Sequence, residues 1–199
     1  MALRSGRPTP PGPGPSSGWW GVAFLDADLD GRADLLFANG HVYPQVDDFP
    51  QLRESYRQEN QLLLNRGGRF IDASQAAGRG FRSLKSHRGL AVGDLDNDGR
   101  QDVVVTSMDD IPTVLRNRTQ SGHHWVALQL VCKAPNVFCI GASVVIDAGG
   151  RRQMREIRSG GSYVSQNDLR PHFGLGTHAG KIDVMVRMPG GAVRTWRGI

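Results

Sequence analysis

The sequence predicts an all-β fold, and three observations lead to this prediction. Its 26 glycines are spread along 199 residues without a collagen-like period, which indicates many turns. A short apolar run, an Asp/Gly-rich loop and a second apolar run occur in this order twice, and the two loops start at residues 26 and 94. Later apolar runs are separated by glycine-containing turns, which are typical of hairpins. The recurring strand–loop–strand pattern indicates a repeat architecture.

The chain begins with a segment rich in Pro, Gly and Ser. We predict that residues 1–18 form a disordered leader, because this composition cannot bury enough apolar surface to order the backbone. The leader lacks the apolar core of a secretory signal, and no stretch of the sequence is long and apolar enough to cross a membrane. The sequence therefore shows no export signal of its own.

Residues 19–118 are predicted to contain two repeats. In each repeat, two strands flank an acidic loop, and the intervening sequence carries a hairpin signal around a glycine-containing turn. The segment 50–59 fits a short helix or an ordered loop. Strands are predicted at residues 21–25, 34–38, 60–65, 69–73, 89–93, 103–106 and 113–116.

Residues 119–199 are predicted to form a second, smaller β domain, a sandwich or barrel, with the boundary near residues 119–122. Here the charge changes sign. Residues 1–115 carry 12 Lys and Arg against 15 Asp and Glu, whereas residues 116–199 carry 12 against 4. Strands are predicted at residues 125–131, 140–147, 151–158, 182–188 and 192–196.

Cys132 and Cys139 are the only cysteines of the chain. No His or Cys lies near them at the spacing of a zinc site. The six residues between them indicate a hairpin loop, whose facing strand ends could lie within disulfide reach. We expect a small disulfide if the protein works outside the cytosol; the alternative is two partly buried free thiols.

The two acidic loops share a nine-residue pattern, with carboxylates at positions 1, 3, 5 and 9 and glycine at position 6. Four carboxylates this close repel one another unless a cation lies among them. Hard oxygen ligands suit calcium, and the backbone carbonyl of position 7 would add another. The predicted ligands of two Ca²⁺ ions are Asp26, Asp28, Asp30, Arg32 (carbonyl) and Asp34, and Asp94, Asp96, Asp98, Arg100 (carbonyl) and Asp102.

Other interpretations of these loops fit less well. An EF-hand loop has 12 positions and ends in a bidentate Glu, but position 12 is Phe37 in one loop and Val105 in the other. Magnesium usually retains several waters and uses fewer protein carboxylates. Two acidic surface turns without metal remain an alternative, which does not explain why both loops keep the same register.

The loops resemble those of FG-GAP and VCBS-type repeats, whose calcium loops have the form D-x-D-x-D-G-x-x-D. The segments 158–170 and 172–176, with the sequences RSGGSYVSQNDLR and HFGLG, resemble the ASPIC/UnbV domain at the end of proteins similar to cartilage acidic protein 1. The resemblance covers residues 19–199. It implies two β-propeller-type blades followed by an ASPIC/UnbV-like domain, in an extracytoplasmic protein that is secreted, periplasmic or on the cell surface.

The chain departs from this family in two ways. Family members usually have more repeats, and a propeller needs about four to eight blades to close. They also generally begin with an export signal. We therefore expect either a fragment of a longer protein or a short form that completes its fold with other blades or by oligomerising.

The favoured function is a non-catalytic calcium-binding module for a protein or glycan ligand, in which calcium is mainly structural. Nucleic-acid or anionic-glycan binding through the basic C-terminal half is one alternative. A hydrolase using Ser165, His172 and Asp168 is another, but a Ser-His-Asp triad is defined by geometry that sequence does not supply. A tight Gly/Ser turn explains the same residues structurally.

Overall fold

The computed structural model describes residues 18–199 and is almost entirely antiparallel β-structure, which confirms the predicted fold class. The disordered leader predicted for residues 1–18 falls almost wholly outside the described residues. The strands of the described part are β1 (Trp19–Leu25), β2 (Asp34–Asn39), β3 (Gln61–Asn65), β4 (Phe70–Asp72), β5 (His87–Gly93), β6 (Asp102–Ser107), β7 (Asp110–Leu115), β8 (His124–Ala127), β9 (Ser143–Ala148), β10 (Arg151–Glu156), β11 (His172–Gly176), β12 (Asp183–Arg187) and β13 (Val193–Trp196).

The first sheet has the strand order β1-β2-β3-β4, as expected for a four-stranded blade. The connection from β2 to β3 contains two short 3-10 helices, Pro44–Asp48 and Pro50–Leu52; only the second falls in the segment 50–59, whose remainder is irregular backbone. A second sheet has the order β5-β6-β7. It has three strands, because the chain leaves β7 through residues 116–123 and continues into the C-terminal part. No strand of the described residues pairs with the free edge of β7.

The two N-terminal sheets share one hydrophobic core. β1 lies against β5, and the inward positions of both sheets alternate with outward ones, as period-2 strands require. Leu36, Ala38, Leu90 and Val105 have no exposed surface, and Phe81 packs from the connection between the sheets. This core fixes how the β1–β2 turn sits relative to the β5–β6 turn, and those two turns are the acidic loops.

The C-terminal part pairs a sheet of order β10-β9-β12-β13 with the two-stranded ribbon β8–β11. Phe173 of β11 is fully buried against Val144 and Ile146 of β9. One strand was predicted too long, and another was missed. The strand expected at 125–131 ends at Ala127. The Leu128 amide still donates to the Pro171 carbonyl, and the chain after it leaves β11 without further strand pairing. β11 itself was not predicted as a strand.

Cys132 and Cys139 are joined by a disulfide, with their Cα atoms 5.5 Å apart. The hairpin expected around them is absent: residues 128–142 contain turns and no strand. The Cys132 amide donates to the Val137 carbonyl, and the Cys139 amide to the Asn136 carbonyl, so a compact loop positions the two sulfurs. Cys139 is buried in the C-terminal core.

No helix among residues 18–199 has the length and apolarity needed to cross a membrane.

Candidate metal centres

The first acidic loop connects β1 to β2, whose register pairs Leu25 with Asp34. The chain therefore returns to its starting point within eight residues, and the ends of the loop lie side by side. Carboxylate oxygens of Asp26, Asp28 and Asp34 lie within 4.8 Å of one another. Asp26 and Asp34 are buried, so two of the three charges are held away from water.

The second acidic loop connects β5 to β6 in the same way, with Gly93 paired to Asp102. Carboxylate oxygens of Asp94, Asp96 and Asp102 again lie within 4.8 Å of one another. Asp94 and Asp102 are buried and Asp96 is exposed. Both clusters thus use positions 1, 3 and 9 of the predicted pattern and could hold a metal ion.

Both loops have the same backbone conformation. Position 4, Leu29 or Asn97, is left-handed with φ of 60° or 57°, and the glycine at position 6 has φ of 80° or 86°. Only glycine adopts this region without steric cost, so position 6 requires it. The Gly31 amide donates to Asp26 Oδ2 at 2.8 Å, and the Gly99 amide to Asp94 Oδ2 at 2.9 Å.

Two asparagines outside the loops hold the position-9 carboxylates, and sequence reasoning missed them. The backbone amide of Asn65 donates to Asp34 Oδ1 and that of Asn117 to Asp102 Oδ1, each at 2.7 Å. Their side chains donate to the Ala33 and Ala27 carbonyls, respectively. The signal that could have found them is the Asn-Arg pair that recurs at residues 65–66 and 117–118.

The carboxylate at position 5 of each loop does not lie where a shared metal site would need it. Asp30 turns to Arg32, with the Arg32 Nη1 to Asp30 Oδ2 distance at 2.8 Å, and Asp98 likewise pairs with Arg100. Neither carboxylate joins its three-residue cluster. The structure thus brings together three of the four predicted carboxylates in each loop.

An arginine also pairs with the third position of each loop. Arg66 Nη1 lies 2.6 Å from Asp28 Oδ2, and Arg116 pairs with Asp96. These arginines come from the chain after β3 and after β7, respectively. Each offsets part of the negative charge from the outer side of its loop.

Asp26 is the carboxylate of the first cluster whose charged form is most disfavoured by its surroundings. Its side chain is 1% exposed, and its Oδ1 has no hydrogen-bond partner; the buried Oδ1 of Asp28 has none either. Burial, reinforced by the neighbouring carboxylates Asp30, Asp34 and Asp28, raises the pKa of Asp26 to about 7. Burial likewise raises the pKa of Asp34 to about 6. Two buried carboxylates with an unsatisfied oxygen fit a cation among them.

The second cluster is better satisfied by the backbone. Both oxygens of Asp94 accept amide bonds, from Asp98 and Gly99. Both oxygens of Asp102 do so as well, from Leu95 and Asn117. A carboxylate oxygen has a second lone pair, so these bonds still leave it able to bind an ion.

The C-terminal part packs directly on both loops. The Arg151 guanidinium donates to the Asp30 carbonyl of the first loop. Arg170 donates to Asn97 Oδ1 at 2.7 Å and to the Asp94 carbonyl at 3.0 Å in the second. Part of the basic C-terminal charge is therefore committed to the acidic loops and does not form a free surface for nucleic acid.

The residues of the hydrolase alternative bond elsewhere. Ser165 donates to the Tyr163 carbonyl, Asp168 pairs with Arg170, and His172 Nε2 contacts the Gly99 carbonyl at 2.8 Å. No hydrogen bond links the three side chains to one another in the described part of the chain. The nearby Asn167 and Ser162 side chains accept bonds from the amides of Val92 and Val22, so this segment serves as an interface to the repeats.

Comparison with protein families finds three matching segments. A model of an FG-GAP-like repeat matches residues 52–105, and a model of the FG-GAP repeat matches residues 88–123. A model described as ASPIC and UnbV matches residues 132–199, C-terminal to the repeats. A search of curated proteins found no match. The first acidic loop lies outside all three matched segments, and its relation to the second is carried by the shared spacing and backbone geometry.

Proposed function

Because this chain carries FG-GAP repeats followed by an ASPIC and UnbV domain, we propose that it is a calcium-binding, non-catalytic module that works outside the cytoplasm. FG-GAP repeats are generally non-catalytic and typical of extracellular or cell-surface proteins. The disulfide between Cys132 and Cys139 supports the location, since such bonds persist in oxidising compartments.

The unpartnered Oδ1 of Asp26 is the observation that carries the calcium proposal. A carboxylate buried to 1% exposure beside two others is costly unless a cation neutralises it. The donors are all oxygens, which suits calcium and gives zinc none of its preferred nitrogen or sulfur ligands. Asp26, Asp28 and Asp34 would hold the first ion, and Asp94, Asp96 and Asp102 the second. Asp30, Asp98 and the carbonyls of Arg32 and Arg100 are further proposed ligands.

The place of the loops favours a structural role for the ions. Each loop closes a β-hairpin on one side and contacts β11 of the C-terminal part on the other: the first loop contacts Gly176 and the second contacts His172. An ion here would hold two layers of the fold together. A cation that binds only the folded chain stabilises it by about 2.7 kcal/mol at one hundred times its dissociation constant.

The proposed ligand of the module is a protein or a glycan. The sheets of the described residues do not close a ring, and two repeats fall short of the about four to eight blades of a propeller. We propose that further blades or a second copy of the chain cover the exposed sheet edges, since unpaired edges favour association.

Calcium titration by isothermal calorimetry, together with thermal melting in calcium and in chelator, tests the proposal. We expect two bound ions and a higher melting temperature in calcium. Asp28→Ala and Asp96→Ala should each remove one binding event, because each deletes the least buried ligand of one cluster. The matched control is Asp48→Ala, an exposed carboxylate outside both loops, which should keep both events. Identical melting in calcium and in chelator, without binding heat, would refute the proposal.

A further inference from the structure

The ribbon β8–β11 contacts both acidic loops. In its register, Gly174 of β11 lies directly opposite Trp125 of β8. Gly174 faces the first loop, and Trp125 faces the second. One two-stranded element therefore lies between the two candidate metal centres.

On the side of the first loop, the ribbon contacts the turn that holds Asp26. A Cβ on Gly174 would overlap Asp26 Oδ2 and the Leu29 backbone, so β11 approaches as closely as a chain can. The Gly176 amide donates to the Leu29 carbonyl at 2.9 Å. His123, just before β8, contacts the Asp28 carbonyl through Nδ1 at 2.7 Å.

On the side of the second loop, the contacts converge on one residue, Gly99. The Trp125 ring covers the Gly99 Cα so closely that no Cβ fits there. His172, which stacks on Trp125 with ring centroids 5.9 Å apart, contacts the Gly99 carbonyl. The amide of the same Gly99 donates to Asp94 Oδ2. A shift of the ribbon would therefore displace a donor to a candidate ligand.

From these contacts we propose that the ribbon couples the two sites, so that calcium at one loop strengthens calcium binding at the other. The inference rests on the proposed calcium function. An ion at the first loop orders the Leu29–Gly31 turn and, through Gly174 and Gly176, the ribbon. Phe173, fully buried between these contacts, anchors the ribbon in the C-terminal core. The ribbon therefore moves as a unit, and fixing it at the first loop also fixes its contacts with the second loop. The second loop then loses less conformational entropy when it binds its ion, so its affinity for calcium is higher.

Calorimetric calcium titration of the full 199-residue chain tests the coupling. Asp96→Ala leaves the first site alone and Asp28→Ala leaves the second, which gives the two single-site association constants. In the wild type, we expect the product of the two stepwise constants to exceed the product of the single-site constants by about five-fold or more.

The ribbon's part is tested by Trp125→Ala, which should reduce this excess to about one-fold. Trp196→Ala is the matched control, because it removes a tryptophan from the edge strand β13 and should keep the excess. His172→Leu, which deletes the bond to Gly99 and leaves Trp125 in place, serves as a second variant if Trp125→Ala does not fold.

The outcomes separate the two proposals. Two ions that bind with the single-site constants would overturn the coupling and leave the calcium function intact. An excess that survives in both Trp125→Ala and His172→Leu would overturn the role of the ribbon. Absence of any calcium binding would overturn both proposals.

Discussion

Gly174 and Trp125 lie opposite each other in the β8–β11 ribbon, and each meets a different acidic loop at a point where no additional atom fits. The C-terminal domain thus contributes backbone and ring surface to both candidate metal centres. Each loop is enclosed by its own repeat on one side and by this domain on the other. Its stability should therefore depend on residues far away in the sequence.

The first prediction concerns Gly174. We expect Gly174→Ala to lower the free energy of unfolding by about 1–3 kcal/mol in the absence of metal, because the added methyl must displace Asp26 or the Leu29 backbone. Gly190→Ala is the matched control, since no atom lies within 4 Å of a Cβ built there. Denaturant unfolding measures both variants. Equal free energies for the two would show that β11 does not press on the first loop.

The second prediction concerns the asparagines that hold position 9. Asn65→Ala and Asn117→Ala should each cost about 1–3 kcal/mol, because the Ala33 or Ala27 carbonyl loses its side-chain donor. Gln75→Ala removes an exposed amide that bonds only the Glu59 carboxylate, so it should change stability by less than about 0.5 kcal/mol. Chemical unfolding would contradict this prediction if all three variants were equally stable.

The acidic loops could be predicted from sequence because their geometry is local. Nine consecutive residues contain the carboxylates, and the glycine at position 6 indicates a backbone turn with positive φ. Asn65 and Asn117 could not be found in this way, since they lie 31 and 15 residues after Asp34 and Asp102, at distances that differ between the repeats. Only the completed sheets bring them to the loops.

The ribbon was harder still to predict. β11 contains two glycines and a histidine, and it follows a turn-rich segment, so its composition does not read as a strand. Gly174 lies where the first loop leaves no room for a side chain, and this constraint comes from the tertiary structure. The extent of the strand at 125–131 was overestimated for a related cause: Leu128 packs against the C-terminal core, and its amide makes a last bond to the Pro171 carbonyl before the strand ends.

The third prediction concerns the disulfide. Replacing Cys132 and Cys139 together by Ser should lower the free energy of unfolding by about 2–3 kcal/mol, as loop-closure entropy gives for so short a loop. Serine keeps the size of the side chain nearly unchanged, so a large part of the effect reports the cross-link. Denaturant unfolding of the oxidised wild type and the double variant measures it. An unchanged midpoint under oxidising conditions would show that the bond contributes nothing to stability.

The last prediction concerns His87, a fully buried histidine at the start of β5. Its Nδ1 contacts the Ser107 hydroxyl at 3.1 Å and its Nε2 the Ser83 carbonyl at 3.3 Å. Burial lowers its pKa below the ordinary 6.5; the Ser83 carbonyl and Asp110 act in the opposite direction, and the nearby Lys85 and Arg88 assist the lowering.

Below pH 6.5 the unfolded chain therefore binds a proton at His87 that the folded chain does not. The contribution of the neutral imidazole is complete above pH 6.5 and is lost as the pH falls through the lowered pKa. His87→Gln keeps a donor and an acceptor but does not titrate. In chelator, the wild type should lose up to about 1.4 kcal/mol more per pH unit than this variant between pH 6.5 and 5. His172, whose pKa burial also lowers, is present in both proteins and cancels in the comparison. Parallel stability curves for the two proteins would mean that His87 does not remain neutral in the folded chain.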